Sequence, residues 1–117
     1  MRLTEITYDN ARPVDGYGPG FFRIGGQVID GPVTVMPSGI APWGGYDDTA
    51  ALIAAADKVD VVFVGTGAEI AHVPPAFRKA LEVAGMGVET MSSPAACRTY
   101  NVLLSEGRRV ALALIPV

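Results

Sequence analysis

Ser92-Ser93-Pro94-Ala95-Ala96-Cys97-Arg98-Thr99-Tyr100-Asn101-Val102-Leu103-Leu104, then Glu106-Gly107-Arg108-Arg109 and the apolar run Val110 to Val117, reads as a capped helix feeding a core strand. Serines before a proline mark a helix start. Ser93 can accept an N–H bond as the N-cap, and Pro94 fills the first helical position, where a missing donor wastes nothing. Ala96, Tyr100 and Leu103 share one stripe of this helix, while Cys97, Asn101 and Leu104 share another. At least one polar residue therefore faces a packed surface. After Gly107 the chain turns into Arg109 to Ile115, which is predicted as the closing strand of a sheet.

Outward from this unit the same alternation repeats. Gly87 to Met91 is predicted as a strand, and before it Pro74-Pro75 opens a helix with Phe77, Ala80, Leu81 and Ala84 on one stripe. Val59 to Val64 is a β-branched run of the kind covered on both faces, and it ends in Gly65-Thr66-Gly67. Ala50, Ile53, Ala54 and Ala56 recur at helical spacing behind Asp47 or Asp48 as an N-cap. Strands and helices joined by short connections predict an α/β fold around a parallel sheet with right-handed crossovers. In such a sheet ligands bind at the carboxyl ends of the strands, here Pro37 to Gly45, Gly65 to Val73 and Ser92-Ser93.

The N-terminal part reads differently. Phe21-Phe22-Arg23-Ile24, Gln27-Val28-Ile29 and Val33-Thr34-Val35-Met36, separated by Gly25-Gly26 and Asp30-Gly31-Pro32, predict two or three antiparallel strands. Residues 1–20 hold Pro13, Gly16, Gly18, Pro19 and Gly20 and are predicted as an irregular arm; Pro37 to Gly45, with Trp43, is predicted as a loop.

The whole chain, 1–117, is expected to form one domain, since 117 residues of which half are hydrophobic can bury a single core. Asp57, Lys58 and Asp60 interrupt the only long apolar stretch, so no membrane span is expected. The start lacks a basic segment followed by an apolar one, and a cytoplasmic location is the expectation. A net charge of −3 gives no footprint for nucleic acid, and one cysteine with one histidine gives neither a disulfide nor a cysteine-built metal site. No metal and no cofactor are expected.

Gly65, Thr66 and Gly67 after a buried strand could let backbone N–H groups approach an anion. The dinucleotide fingerprint would need glycine where Ile70 stands, and a strand-end turn explains the glycines equally. Ser92 and Ser93 at a helix start could hold a carboxylate or phosphate, or only cap the helix. Arg98 is the best anion anchor if it points into the crevice, and pairs with Glu106 or another carboxylate if it points out. Asn101 either lines the site or locks the helix to adjacent loops. Cys97 could be a nucleophile with His72 or a small core residue; Glu69 with His72 could do acid–base work or sit in an exposed loop. Trp43 either covers one end of the core or offers an exposed contact.

Together these segments resemble the Mth938-like domain family, a domain of unknown function. The likeness runs from Gly16-Tyr17-Gly18-Pro19-Gly20-Phe21-Phe22-Arg23-Ile24 onward. It is most specific at Gly65-Thr66-Gly67, at Met91 to Leu103, and at Arg109-Val110-Ala111-Leu112-Ala113-Leu114-Ile115-Pro116. Members commonly carry an acidic residue and threonine after the strand-ending methionine, where this chain has Ser92 and Ser93. The resemblance implies a three-layer fold: a mostly parallel central sheet plus an N-terminal antiparallel β-hairpin layer.

Relatives in that family include a mitochondrial assembly factor for respiratory complex I. The expectation is a protein-interaction module, with Trp43 and Arg98 on the partner surface and respiratory subunits or assembly factors as partners. An anion-binding protein or enzyme built on Gly65, Thr66, Gly67, Ser92, Ser93, Arg98 and Asn101 is the alternative. Self-pairing through a hairpin edge would give a homo-oligomer.

Overall fold

The computed structural model describes residues 12–117. In chain order the elements are β1 (Val14–Gly18), β2 (Phe21–Ile24), β3 (Gln27–Asp30), β4 (Val33–Met36), β5 (Gly39–Pro42), α1 (Ala50–Ala54), β6 (Val61–Thr66), α2 (Pro75–Val83), β7 (Gly87–Met91), α3 (Ser93–Ser105) and β8 (Val110–Ile115). β1, β2 and β3 form an antiparallel sheet, and β5-β4-β8-β6-β7 form a second. In the second sheet β6 runs parallel to both β7 and β8, whereas β4 joins β8 and β5 antiparallel. The sheet is thus mixed. Its parallel part is confined to the strands connected through α2 and α3, because a tight turn such as that between β4 and β5 can only reverse the chain.

Side-chain alternation along the central strands builds two cores. Phe63, Leu112 and Leu114 face one side of the five-stranded sheet, where they pack with Ala96, Cys97 and Tyr100 of α3 and with Val14, Phe22 and Ile24 of the small sheet. Val62, Val64, Ala111 and Ala113 face the other side, with Leu52 of α1, Phe77 and Leu81 of α2, and Trp43. Both faces of β6 and β8 are covered, which is why their sequences lack polar alternation.

Several boundaries differ from the sequence reading. Residues 14–18 of the expected irregular arm are strand β1, and residues 1–11 of that arm lie outside the described residues. Its glycines are not breakers there: a Cβ on Gly18 would stand 2.6 Å from the Phe21 ring, so the glycine admits a cross-strand aromatic contact. The expected loop Pro37 to Gly45 contains strand β5, which a sequence without alternation concealed; its Pro42 sits on the sheet edge, where a missing N–H breaks no ladder bond. Of the three N-terminal strand segments, only Phe21–Ile24 and Gln27–Asp30 pair together, since β4 belongs to the large sheet. Helix α1 has Thr49 rather than Asp47 or Asp48 as N-cap, and it buries Leu52 while Ile53 stays exposed. The helix α3 is capped by Ser92, one residue before the predicted Ser93.

Candidate functional site

Strand β6 lies between β7 and β8, and the chain leaves it first toward one neighbour and returns to the other. This reversal is a topological switch point, the place where open α/β sheets bind ligands beyond their carboxyl ends. Here α3 fills it. The Ser93 hydroxyl donates to the Ile115 carbonyl at 2.5 Å and accepts the Gly67 N–H at 2.9 Å, while the Ser93 N–H donates to the Gly67 carbonyl at 2.7 Å. One fully buried side chain thereby ties the ends of β6 and β8 to the first turn of the helix.

Gly65 makes this approach feasible. A Cβ there would stand 2.7 Å from the Ser93 hydroxyl, 2.8 Å from the Ser93 Cα and 2.7 Å from a Leu114 methyl. Thr66 organises the loop that follows: its hydroxyl accepts the Ala71 N–H at 2.9 Å and faces the Glu69 carbonyl at 2.8 Å and the Met91 carbonyl at 3.2 Å. The Ser92 hydroxyl accepts the Ala95 N–H at 3.4 Å, and the Ala96 N–H reaches the Ser92 carbonyl at 2.9 Å. Pro94 has no N–H. The donors of this helix start that could hold an anion, together with the Gly67 N–H, are therefore engaged within the chain.

Asn101 is held by the chain, and Arg98 is exposed. The Asn101 side-chain oxygen accepts the Val14 N–H at 2.8 Å and its amide donates to the Val14 carbonyl at 2.9 Å. This side chain acts as a one-residue strand against the outer edge of β1. Tyr100, fully buried, extends the same clasp by donating its hydroxyl to the Arg12 carbonyl at 3.1 Å. Arg98 is exposed on α3 and, among the described residues, forms no ion pair with Glu106 or any other carboxylate. One turn on, Val102 is 55% exposed.

Cys97 is buried, and burial pushes its thiol up to about 12 against the lowering influence of the Arg98 charge. His72 and Glu69 are exposed in the loop after β6, and no hydrogen bond joins either to Cys97. Trp43 is 4% exposed: its Nε1–H donates to the Asp48 carbonyl at 3.0 Å and its ring contacts Tyr46 and Phe77. Of its two sequence readings, the structure has the core cover, so Trp43 leaves the candidate partner surface. Ile70, 66% exposed, stood in the sequence only as a mismatch to the dinucleotide fingerprint; as a surface contact, its signal was an apolar residue between Glu69 and His72, outside any periodic element.

Residues 14–115 match the family described as protein of unknown function DUF498/DUF598. An uncharacterised protein of Rhodobacter capsulatus is 51% identical over all of this chain and 94% of its own length. The NADH dehydrogenase [ubiquinone] 1 alpha subcomplex assembly factor 3 of Bos taurus is 31% identical over 88% of this chain, which spans 60% of that protein. Among solved structures, an outer membrane protein from Bartonella henselae superposes with a TM-score of 0.83 at 34% identity, covering 93% of this chain and 98% of the other. A Mth938-like domain of Bordetella pertussis gives 0.74 at 29% identity, with 99% and 91% covered. The chain belongs to the DUF498/DUF598 family of proteins of unknown function, the family of Mth938-like domains.

Proposed function

We propose that this chain is a protein-interaction module that assists assembly of a respiratory NADH dehydrogenase, the role for which its bovine relative is named. The observation that carries the reading is the closure of the switch point by Ser93, which gives the usual ligand crevice of such a sheet to an internal hydrogen-bond network. What then faces outward is a contact surface: Ile70 on a loop pinned by Thr66, and Arg98 with Val102 on the exposed stripe of α3. A pinned loop loses little conformational entropy on docking, and arginine and aliphatic groups at exposed positions suit a protein partner. The alternative, an anion site at the strand ends, retains only the Arg98 guanidinium from its donor set. Cytoplasmic action on the aqueous side of a membrane complex is part of the proposal; among the described residues no helix is long and apolar enough to cross a membrane.

The test is deletion of the gene in its host, with NADH dehydrogenase followed on native gels. Loss of the assembled enzyme is expected, with rescue by the wild-type chain and weak rescue by Ile70→Asp or Arg98→Glu. Normal assembly in the deletion strain would sink the reading.

A further inference from the structure

The two sheets have four edges, and three are blunted. β1 is clasped at Val14 by the Asn101 amide. On β7 the Val88 carbonyl accepts the Arg78 guanidinium at 2.9 Å. β5 ends in Pro42, which has no donor to offer. These are ordinary devices against edge pairing. β3 has none of them: Gln27-Val28-Ile29-Asp30 contains no proline, glycine or lysine, and Gln27, Val28 and Asp30 are exposed.

The register shows which groups β3 presents. Gly25 and Gly26, at φ +57° and +82°, form a two-residue turn, so Ile24 and Gln27 are a hydrogen-bonded pair. Pairing alternates from there, and the Val28 and Asp30 backbones must point away from β2. Among the described residues neither takes a hydrogen-bond partner on that side. Two donors and two acceptors thus stand in a row without a partner among the described residues.

We propose that a second copy of this chain pairs with β3, antiparallel, about a two-fold axis through Ile29. Of the registers that keep both cores on the same side of the joined sheet, the one with Val28 opposite the second copy's Asp30 matches all four outward groups in two hydrogen-bonded pairs. The side chains agree with this register. Arg23 is opposite Val28 on β2, and Asp30 is opposite Phe21. On the outer face each row therefore reads Arg23, Val28, then the second copy's Asp30, with the arginine and the carboxylate two strands, roughly 10 Å, apart. An extended guanidinium crosses the small Val28 side chain, 54% exposed, to meet that carboxylate. The charges are complementary in this register only between copies, since within one chain Arg23 and Asp30 lie in different rows.

Sedimentation of the full chain over a wide concentration range tests the proposal. A species of twice the 12.2 kDa protomer mass is expected. Arg23→Asp and Asp30→Arg should each raise the dimer dissociation constant about tenfold or more, and the double exchange should restore it. Circular dichroism confirms that the exposed substitutions leave the fold intact. A monomer at every concentration, or a dimer unmoved by both single exchanges, would overturn it.

Discussion

Ser93 shows how much one hydroxyl can decide. It satisfies two backbone groups at the end of the sheet, and Ser93→Ala leaves both unpaired in a buried place. We expect a loss of about 3 kcal/mol in urea unfolding, as each buried orphan costs about 1–3 kcal/mol. Serine before proline was legible as a helix cap. That the capping residue is Ser92 and that Ser93 reaches across to Gly67 and Ile115 was not legible, because those partners lie 26 and 22 positions away. Cys97 is the other residue whose surroundings overrule its sequence context. A helix start favours a thiolate, yet desolvation wins and holds the thiol neutral, with its pKa near 12. Native protein should resist thiol-alkylating reagents at pH 8 and react after denaturation in guanidinium. The sign of the linkage follows: a neutral thiol favoured by the fold contributes stability in full below its unfolded pKa of about 8.5, and loses it as pH rises toward 12. Chemical denaturation at pH 8 and pH 11 should show this loss, and Cys97→Ala should reduce the difference.

Among elements, β1 and α3 depend on one another. β1 is five residues, two of them glycine, held on one edge by β2 and on the other by Asn101. Asn101→Ala should cost about 1–2 kcal/mol, the range for exchanging a paired amide for an apolar stub. In hydrogen exchange the Val14 amide should lose protection while the Val62 and Val64 amides keep theirs. The glycine-rich sequence hid β1, since glycine reads as a breaker until a ring such as Phe21 is found packed over it. β5 was hidden for a related reason: its strand character comes from pairing with β4, not from its own residues. α2 and β7, by contrast, follow the sequence reading closely, with Phe77 and Leu81 buried as their spacing required.

At the scale of the whole molecule, two cores share the five-stranded sheet as a common wall. β6 and β8 contribute alternate residues to each, so neither core can loosen alone without exposing the other. Phe22→Ala, in the core away from Trp43, should lower stability by about 3–5 kcal/mol. Trp43 fluorescence and far-ultraviolet circular dichroism should still report one coincident transition, the mark of two-state unfolding. Separate midpoints would show that the cores are independent.

The sequence by itself determined the α/β class, the parallel strands around α2 and α3, the buried face of α2 and the family. All of these rest on signals carried within a few residues: hydrophobic period, proline and serine at helix starts, glycine at turns. Only the tertiary structure decided where the strand-end donors go, that Trp43 is interior, that Asn101 serves β1, and that β3 is the edge without a partner among the described residues. Each of those is a pairing between distant parts of the chain, 87 positions apart for Asn101 and Val14, and a residue's type does not record which distant group will meet it. The same chemistry that could have bound a ligand was turned inward because α3 packs close enough over Gly65 for Ser93 to reach the strand ends first.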